Sequence, residues 1–118
     1  LCALTASAYL STMGKKGLRQ AATLSMSKAH YLANKLCELN GYDLVYAGEF
    51  FNEFVTTCKN SVDKIMNKLE QCEILGGYPL PGLNTGEILW CATEVNTKEE
   101  IDHLVKILKE VDDDEVDF

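Results

Sequence analysis

Proline is almost missing from this chain: its two prolines, Pro79 and Pro81, fall in a single loop, so no proline-rich linker divides it. Arginine occurs once, as Arg19, expected to be solvated at the start of a long helix. Nothing in the distribution of basic residues resembles a nucleic-acid footprint. No apolar run approaches the roughly 20 residues of a membrane span, and no secretory leader is recognisable. The five cysteines (Cys2, Cys37, Cys58, Cys72, Cys91) are odd in number, widely spaced and without a Cys-x-x-Cys pair. Four fall at apolar-periodic positions, so they read as reduced core thiols of a cytoplasmic protein. Chemistry is equally sparse. There is no Ser/His/Asp set and no nucleophile with a base at definable spacing, so catalytic and cofactor-binding residues are none. His30 and His103 lie far apart, each in a helix without a ligand-type neighbour. They are expected at surface or boundary positions, and the metal set is none. Gly14-Lys15-Lys16-Gly17 lacks the preceding strand and the spacing of a phosphate loop, and reads as a helix–helix junction.

What is present is one ordinary domain. The chain has 118 residues, 47% hydrophobic and 25% charged, enough for a modest core. Its net charge of −7 is concentrated at one end, because Glu110–Phe118 holds six acids and no base. Without that segment twelve acidic residues face eleven basic ones. The division expected is a domain over 1–111 and an acidic, solvated tail over 112–118. The chain opens without methionine and already inside a helix-like pattern, as expected of a fragment of a longer polypeptide.

Residues 1–13 are small and apolar on most sides, and Gly14 and Gly17 interrupt them. From Lys16 to Leu39 the seam Leu18, Ala22, Ser25, Ala29, Leu32, Leu36, Leu39 predicts one long amphipathic helix. Asn40-Gly41 ends it, with Gly41 suited to a left-handed cap. Asp43–Ala47 and Phe50–Cys58 read as a hairpin turning at Gly48-Glu49. Phe50, Asn52, Phe54, Thr56 and Cys58 share one face. Asn60-Ser61 is expected to cap a helix to about Glu73, with Val62, Ile65, Met66, Leu69 and Cys72 on its stripe. Glu87–Thr93 is a third strand, apolar on both faces and so expected to be covered on both. Thr97-x-x-Glu100 is a capping box opening a helix to about Val111 on Ile101, Leu104, Val105 and Leu108. The fold class is therefore α+β, two layers, a three-stranded sheet with helices packed against it.

The best candidate for a working surface is Gly76-Gly77-Tyr78-Pro79-Leu80. Its glycines allow positive φ and close backbone approach, and Tyr78 and Pro79 stiffen it. Asn52 and Glu53 place polar groups in an apolar strand. The plainer reading is an exposed face; the sharper one is a hydrogen bond to a neighbouring loop or domain. Glu94, just after the third strand, is a further polar candidate, most simply a turn or helix-end contact.

Several stretches together resemble one family. Tyr9-Leu10 with Gly14-Lys15-Lys16-Gly17-Leu18, then Lys28-Ala29-His30-Tyr31-Leu32-Ala33, then Phe50-Phe51-Asn52-Glu53-Phe54-Val55 come first. Gly76–Leu80 and Thr93-Glu94 with Thr97-Lys98-Glu99-Glu100-Ile101-Asp102 follow in order. These are similar to the C-terminal region of subunit 1 of the glycine cleavage system P-protein, the pyridoxal-phosphate-dependent glycine dehydrogenase (decarboxylating). The stretch Pro81-Gly82-Leu83-Asn84-Thr85 is shorter than that family's loop. The resemblance implies the small C-terminal domain of fold-type-I pyridoxal-phosphate enzymes. It implies an oxidoreductase of glycine catabolism that decarboxylates glycine and passes the aminomethyl group to the lipoyl disulfide of the H-protein. The implied partners are a missing large domain of the same subunit, glycine dehydrogenase subunit 2 and the lipoylated H-protein. Pyridoxal phosphate belongs to the full enzyme, its lysine on the companion subunit, and none of the ten lysines here is nominated. The fragment alone is expected to be structural. Its task would be to close over the large domain, with Leu1–Met13 exposed when cut free. The small domain of another fold-type-I enzyme, an aminotransferase or cysteine desulfurase relative, stays open, although no arginine in the last third offers to hold a substrate carboxylate. A stand-alone interaction module stays open too.

Overall fold

The seam that runs from Leu18 to Leu39 folds as the second part of a helix, α1, spanning Cys2–Cys37 in a computed structural model that describes residues 1–82 and 86–113. At about 1.5 Å per residue the contour of α1 is about 54 Å, and the molecule measures 57 Å in its longest dimension against 30 and 28 Å in the others. Gly14 (φ 66°, ψ 176°) breaks the helical geometry, so two helices meet at a kink as the Gly-Lys-Lys-Gly junction predicts. That combination of angles is open to glycine alone. Past α1, Gly41 takes φ 89°, the left-handed turn expected of it.

The remaining elements are β1 (Glu53–Thr57), α2 (Val62–Gln71), β2 (Tyr78–Pro79), β3 (Glu87–Cys91) and α3 (Lys98–Asp113). The sheet is antiparallel with β3 central, in the order β1-β3-β2. Phe54 and Thr56 of β1 and Ile88 and Trp90 of β3 turn to the covered face. There they join Ala29, Leu32 and Leu36 of α1, Ile65 and Leu69 of α2, and Ile101, Leu104 and Leu108 of α3. This is the expected α+β two-layer arrangement of three helices on a three-stranded sheet. Polar groups inside it are mostly satisfied: the Trp90 indole donates to the Thr56 hydroxyl at 2.9 Å. The Tyr42 hydroxyl is the exception, buried without a partner among the described residues.

The details differ from the sequence reading in six places. The hairpin contracts to an isolated bridge, Leu44 to Thr56, with Val45 donating to Val55 at 3.0 Å and Thr57 to Asp43 at 2.9 Å. The third strand of the sheet is instead the two-residue β2, which the glycine–proline loop concealed. β3 is covered on one face only, since Leu89 is half-buried and Cys91 exposed. The cysteines are all free, but Cys2, Cys37 and Cys91 are exposed and only Cys58 and Cys72 half-buried, so none is a buried core thiol. Ser61 makes no side-chain cap bond, and the Asn60 amide donates instead to Asp112 of α3 at 2.6 Å. The last helix reaches Asp113, so Asp112 and Asp113 belong to it rather than to a tail. Residues 114–118, and 83–85 in the loop expected to be shorter than the family's, lie outside the described residues.

Candidate functional site

α2 ends at Gln71, and Glu73 takes a left-handed turn (φ 60°) that sends the chain back toward the sheet. The two glycines that follow permit close packing. A Cβ on Gly76 would lie 2.6 Å from Leu69 Cδ1, and one on Gly77 would lie 2.4 Å from Ile88 Cγ2 and 2.6 Å from the Leu89 carbonyl oxygen. Neither has positive φ, so close approach is the reason for glycine here and the conformational reason fails. The chain then pairs with β3, Tyr78 opposite Leu89 and Pro79 opposite Ile88, and the Leu80 N–H reaches the Glu87 carbonyl at 3.1 Å.

Between this segment, β3 and the first turns of α3 lies a groove of about 620 Å³. Its floor is apolar, with Leu32, Ile74, Ala92, Ile101 and Leu104. Glu53, Glu73 and Glu100 are its acidic members, His103 also lines it, and no lysine or arginine does. Tyr78 stands 62% exposed at its border. Burial, and next the Glu53 carboxylate, push the Cys91 thiol above the ordinary range.

The structure brings Gly76, Gly77, Tyr78 and Glu53 together at this groove and leaves the other candidates apart. Pro79 and Leu80 run on past it. Asn52 serves the sheet: its carbonyl accepts the Ala92 N–H at 3.1 Å and its amide lies 3.7 Å from the Cys91 sulfur. Glu94 ties the start of the α3 turn to α1. Its backbone N–H donates to the Ser25 hydroxyl at 3.1 Å, and its carbonyl accepts from the Lys28 ammonium at 2.6 Å. The same Ser25 hydroxyl lies 2.9 Å from the Ala21 carbonyl and 3.1 Å from the Glu94 carboxylate, with one proton for the two. His30 is half-buried, stacked on Phe50 with ring centroids 4.1 Å apart, and His103 is exposed. Among the described residues no cluster of His, Cys, Asp or Glu is arranged to hold a metal ion, and no helix is long and apolar enough to cross a membrane. Sequence reasoning missed Glu73, Glu100 and His103 as groove residues; the turn after α2 brings the first there and the opening turns of α3 the other two, and no local signal announces that meeting.

The far half of α1 is left bare. Residues 1–12 are exposed throughout, including Leu4 at 70%, Tyr9 at 49% and Leu10 at 51%.

Three helices on one face of a small antiparallel sheet define a two-layer α+β domain. The fold matches a C-DES mutant with glycine covalently linked to its PLP cofactor (TM-score 0.62, 19% identity, 78% of this chain and 24% of that one). It matches a glycine decarboxylase (P-protein) of the glycine cleavage system in inhibitor-bound form more closely, with TM-score 0.79 and 33% identity over 87% of this chain and 24% of that one. The family model of the glycine cleavage system P-protein matches residues 1–108. The chain belongs to that family. It is 44% identical over 113 residues to the probable glycine dehydrogenase (decarboxylating) subunit 1 of Thermomicrobium roseum, covering 93% of this chain and 25% of the relative. For the corresponding protein of Dictyoglomus turgidum the values are 43% over 115 residues, 94% and 25%. The chain thus spans about a quarter of the length of the curated relatives it matches.

Proposed function

We propose that this chain is the small domain of a glycine decarboxylase subunit. It would work with the rest of that subunit, a companion subunit 2 and the lipoylated H-protein, in the cytoplasm. The whole enzyme would be an oxidoreductase of glycine catabolism, decarboxylating glycine and handing the aminomethyl group to the H-protein; pyridoxal phosphate would supply the electron sink. The observation that carries this reading is the superposition of 87% of the chain on 24% of a glycine decarboxylase. The bare helix supports it. A lone amphipathic helix is marginal in water, and Leu4, Tyr9 and Leu10 are an unfinished interface.

In this reading the chain contributes shape rather than chemistry. Its groove does not fit the cofactor, because a phosphate would face Glu53, Glu73 and Glu100 with no cation among the lining residues. Its lysines are engaged elsewhere at several points: Lys28 on the Glu94 carbonyl, Lys35 on Glu38, Lys98 on Asp102. Both facts favour a cofactor lysine on the companion subunit. The domain division, 1–111 with an acidic end, is proposed with its boundary moved to the end of α3. Gly76–Leu80 would sit at a boundary between domains or subunits, with Glu53 beside it and Asn52 and Glu94 stiffening the frame.

The test is reconstitution. The full-length subunit, its companion, pyridoxal phosphate and lipoylated H-protein are combined, and exchange of the glycine carboxyl with bicarbonate is followed. Activity is expected with the full-length subunit, and only background when this region is deleted or supplied alone. Full exchange without the region would overturn the proposal.

A further inference from the structure

Among the described residues, the register of the β2–β3 ladder leaves one backbone pair of β3 open. Ala92 donates to the Asn52 carbonyl, so Asn52–Ala92, Phe54–Trp90 and Thr56–Ile88 are the hydrogen-bonded pairs of the β1–β3 ladder. The alternate residues Glu87, Leu89 and Cys91 therefore turn their N–H and C=O groups to the other edge. There Glu87 accepts from Leu80, and Leu89 faces Tyr78. The next residue in register with Cys91 is Gly76, but β2 begins only at Tyr78. Gly76 packs instead on Leu69 of α2. Among the described residues, nothing is bonded to the Cys91 backbone groups on this edge. Cys91 is exposed and lines the acidic groove. An open edge beside an apolar floor is a place where a strand can be added.

We propose that an extended segment of the same subunit polypeptide, from outside this chain, continues the sheet at Cys91. Its backbone pairs with the Cys91 N–H and C=O, one apolar side chain enters the groove, and a neighbouring lysine or arginine meets Glu53 and Glu73. Charge selects a basic segment, since the lining carries three carboxylates and no lysine or arginine. Length selects the source. The relatives hold about three quarters of their chain outside the matched 25%, and a tethered segment needs few bonds because its effective concentration is high. A single open pair is too small a foothold for a free partner. The inference rests on the reading that this chain is one part of a longer subunit.

Amide hydrogen exchange at single-residue resolution tests it, on this chain and on the full-length subunit. Leu89, already paired, reports that the sheet is intact. The expected result is a Cys91 amide that exchanges freely in this chain and is slowed by a factor on the order of 100 or more in the full-length subunit. Replacing Glu53→Gln with Glu73→Gln should restore part of the exchange, several-fold, without moving Leu89. A photoreactive label on Cys91 in the full-length subunit should capture a peptide from outside these 118 residues. A freely exchanging Cys91 in the full-length subunit, or capture confined to these residues, overturns the proposal. So does protection in this chain alone, whether constant or rising with its concentration, the latter marking a second copy on the edge. Glycine–bicarbonate exchange on the same full-length sample separates the two readings: activity with an open Cys91 sinks this inference and leaves the enzymatic one standing.

Discussion

α1 is one helix with two fates. From Ser25 to Leu36 its stripe is buried against α3 and the sheet, whereas residues 1–12 have the same kind of apolar side chains in water. Tyr31 donates to Asp102 of α3, and Ser25 and Lys28 hold Glu94, so the second half is also tied by polar bonds. Helical propensity does not separate the halves; tertiary packing does. Apolar residues on a helix thus announce a partner without saying whether the partner is in the same chain.

The sharpest way to break that contrast is to truncate one apolar side chain in each half. Leu36→Ala, at a fully buried position, should cost about 2–5 kcal/mol in urea unfolding. Leu10→Ala should stay within about 0.5 kcal/mol in this chain and become costly only in the full-length subunit. Equal losses in the isolated chain would mean that the bare half already packs on something within it. Next in size is Gly77→Ala, which forces a methyl against Ile88 and the Leu89 carbonyl and should cost on the order of 1–3 kcal/mol. Gly48, where a Cβ meets nothing within 4 Å, is the control, and Gly48→Ala should leave the unfolding midpoint in place. Gly14→Ala acts at the boundary of the two halves. The φ of 66° and ψ of 176° are strained for alanine by about 1–3 kcal/mol. The first half is free to swing, so it should straighten instead. Helical circular dichroism would then rise slightly at an unchanged unfolding midpoint. A lowered midpoint would show that the kink is held by contacts.

The elements with strong periodicity were legible: the helix seam through Ala29, Leu32 and Leu36, the capping box, and the stripe of α3. In the box the Glu100 N–H donates to Thr97 at 3.1 Å and the Thr97 N–H to Glu100 at 2.8 Å. The strands were less so. Two residues paired through a glycine–proline loop leave no alternating pattern to read, and β-type residues at 43–47 went to a bridge because only two backbone bonds form there. Cysteine misled for a related reason. Cys91 stands in an apolar run, but period-two alternation puts it on the uncovered face beside the buried Trp90. Of the candidate site, the loop with its glycines was visible, whereas the acidic lining was not, since Glu73 and Glu100 lie apart in sequence and meet only through the chain's path.

The smallest effect belongs to the surface tie that the bare half of α1 lacks. Asp102 accepts from Lys98 at 2.6 Å and from the Tyr31 hydroxyl. These hydrogen bonds, Lys98 first and Tyr31 next, hold its carboxyl below the ordinary range and raise Lys98 in return. A carboxylate with a folded pKa below its unfolded value stabilises the fold above the unfolded pKa, about 4. That contribution disappears as the pH falls through the folded value. Asp102→Asn should therefore lower the urea midpoint slightly at neutral pH, and the gap should close below about pH 4. The gap is small because the pair is open to solvent and screened; raised salt should shrink it further. A gap that is the same at neutral and low pH would mean that Asp102 acts through shape alone. The link between α1 and α3 would then be packing around Tyr31 rather than charge.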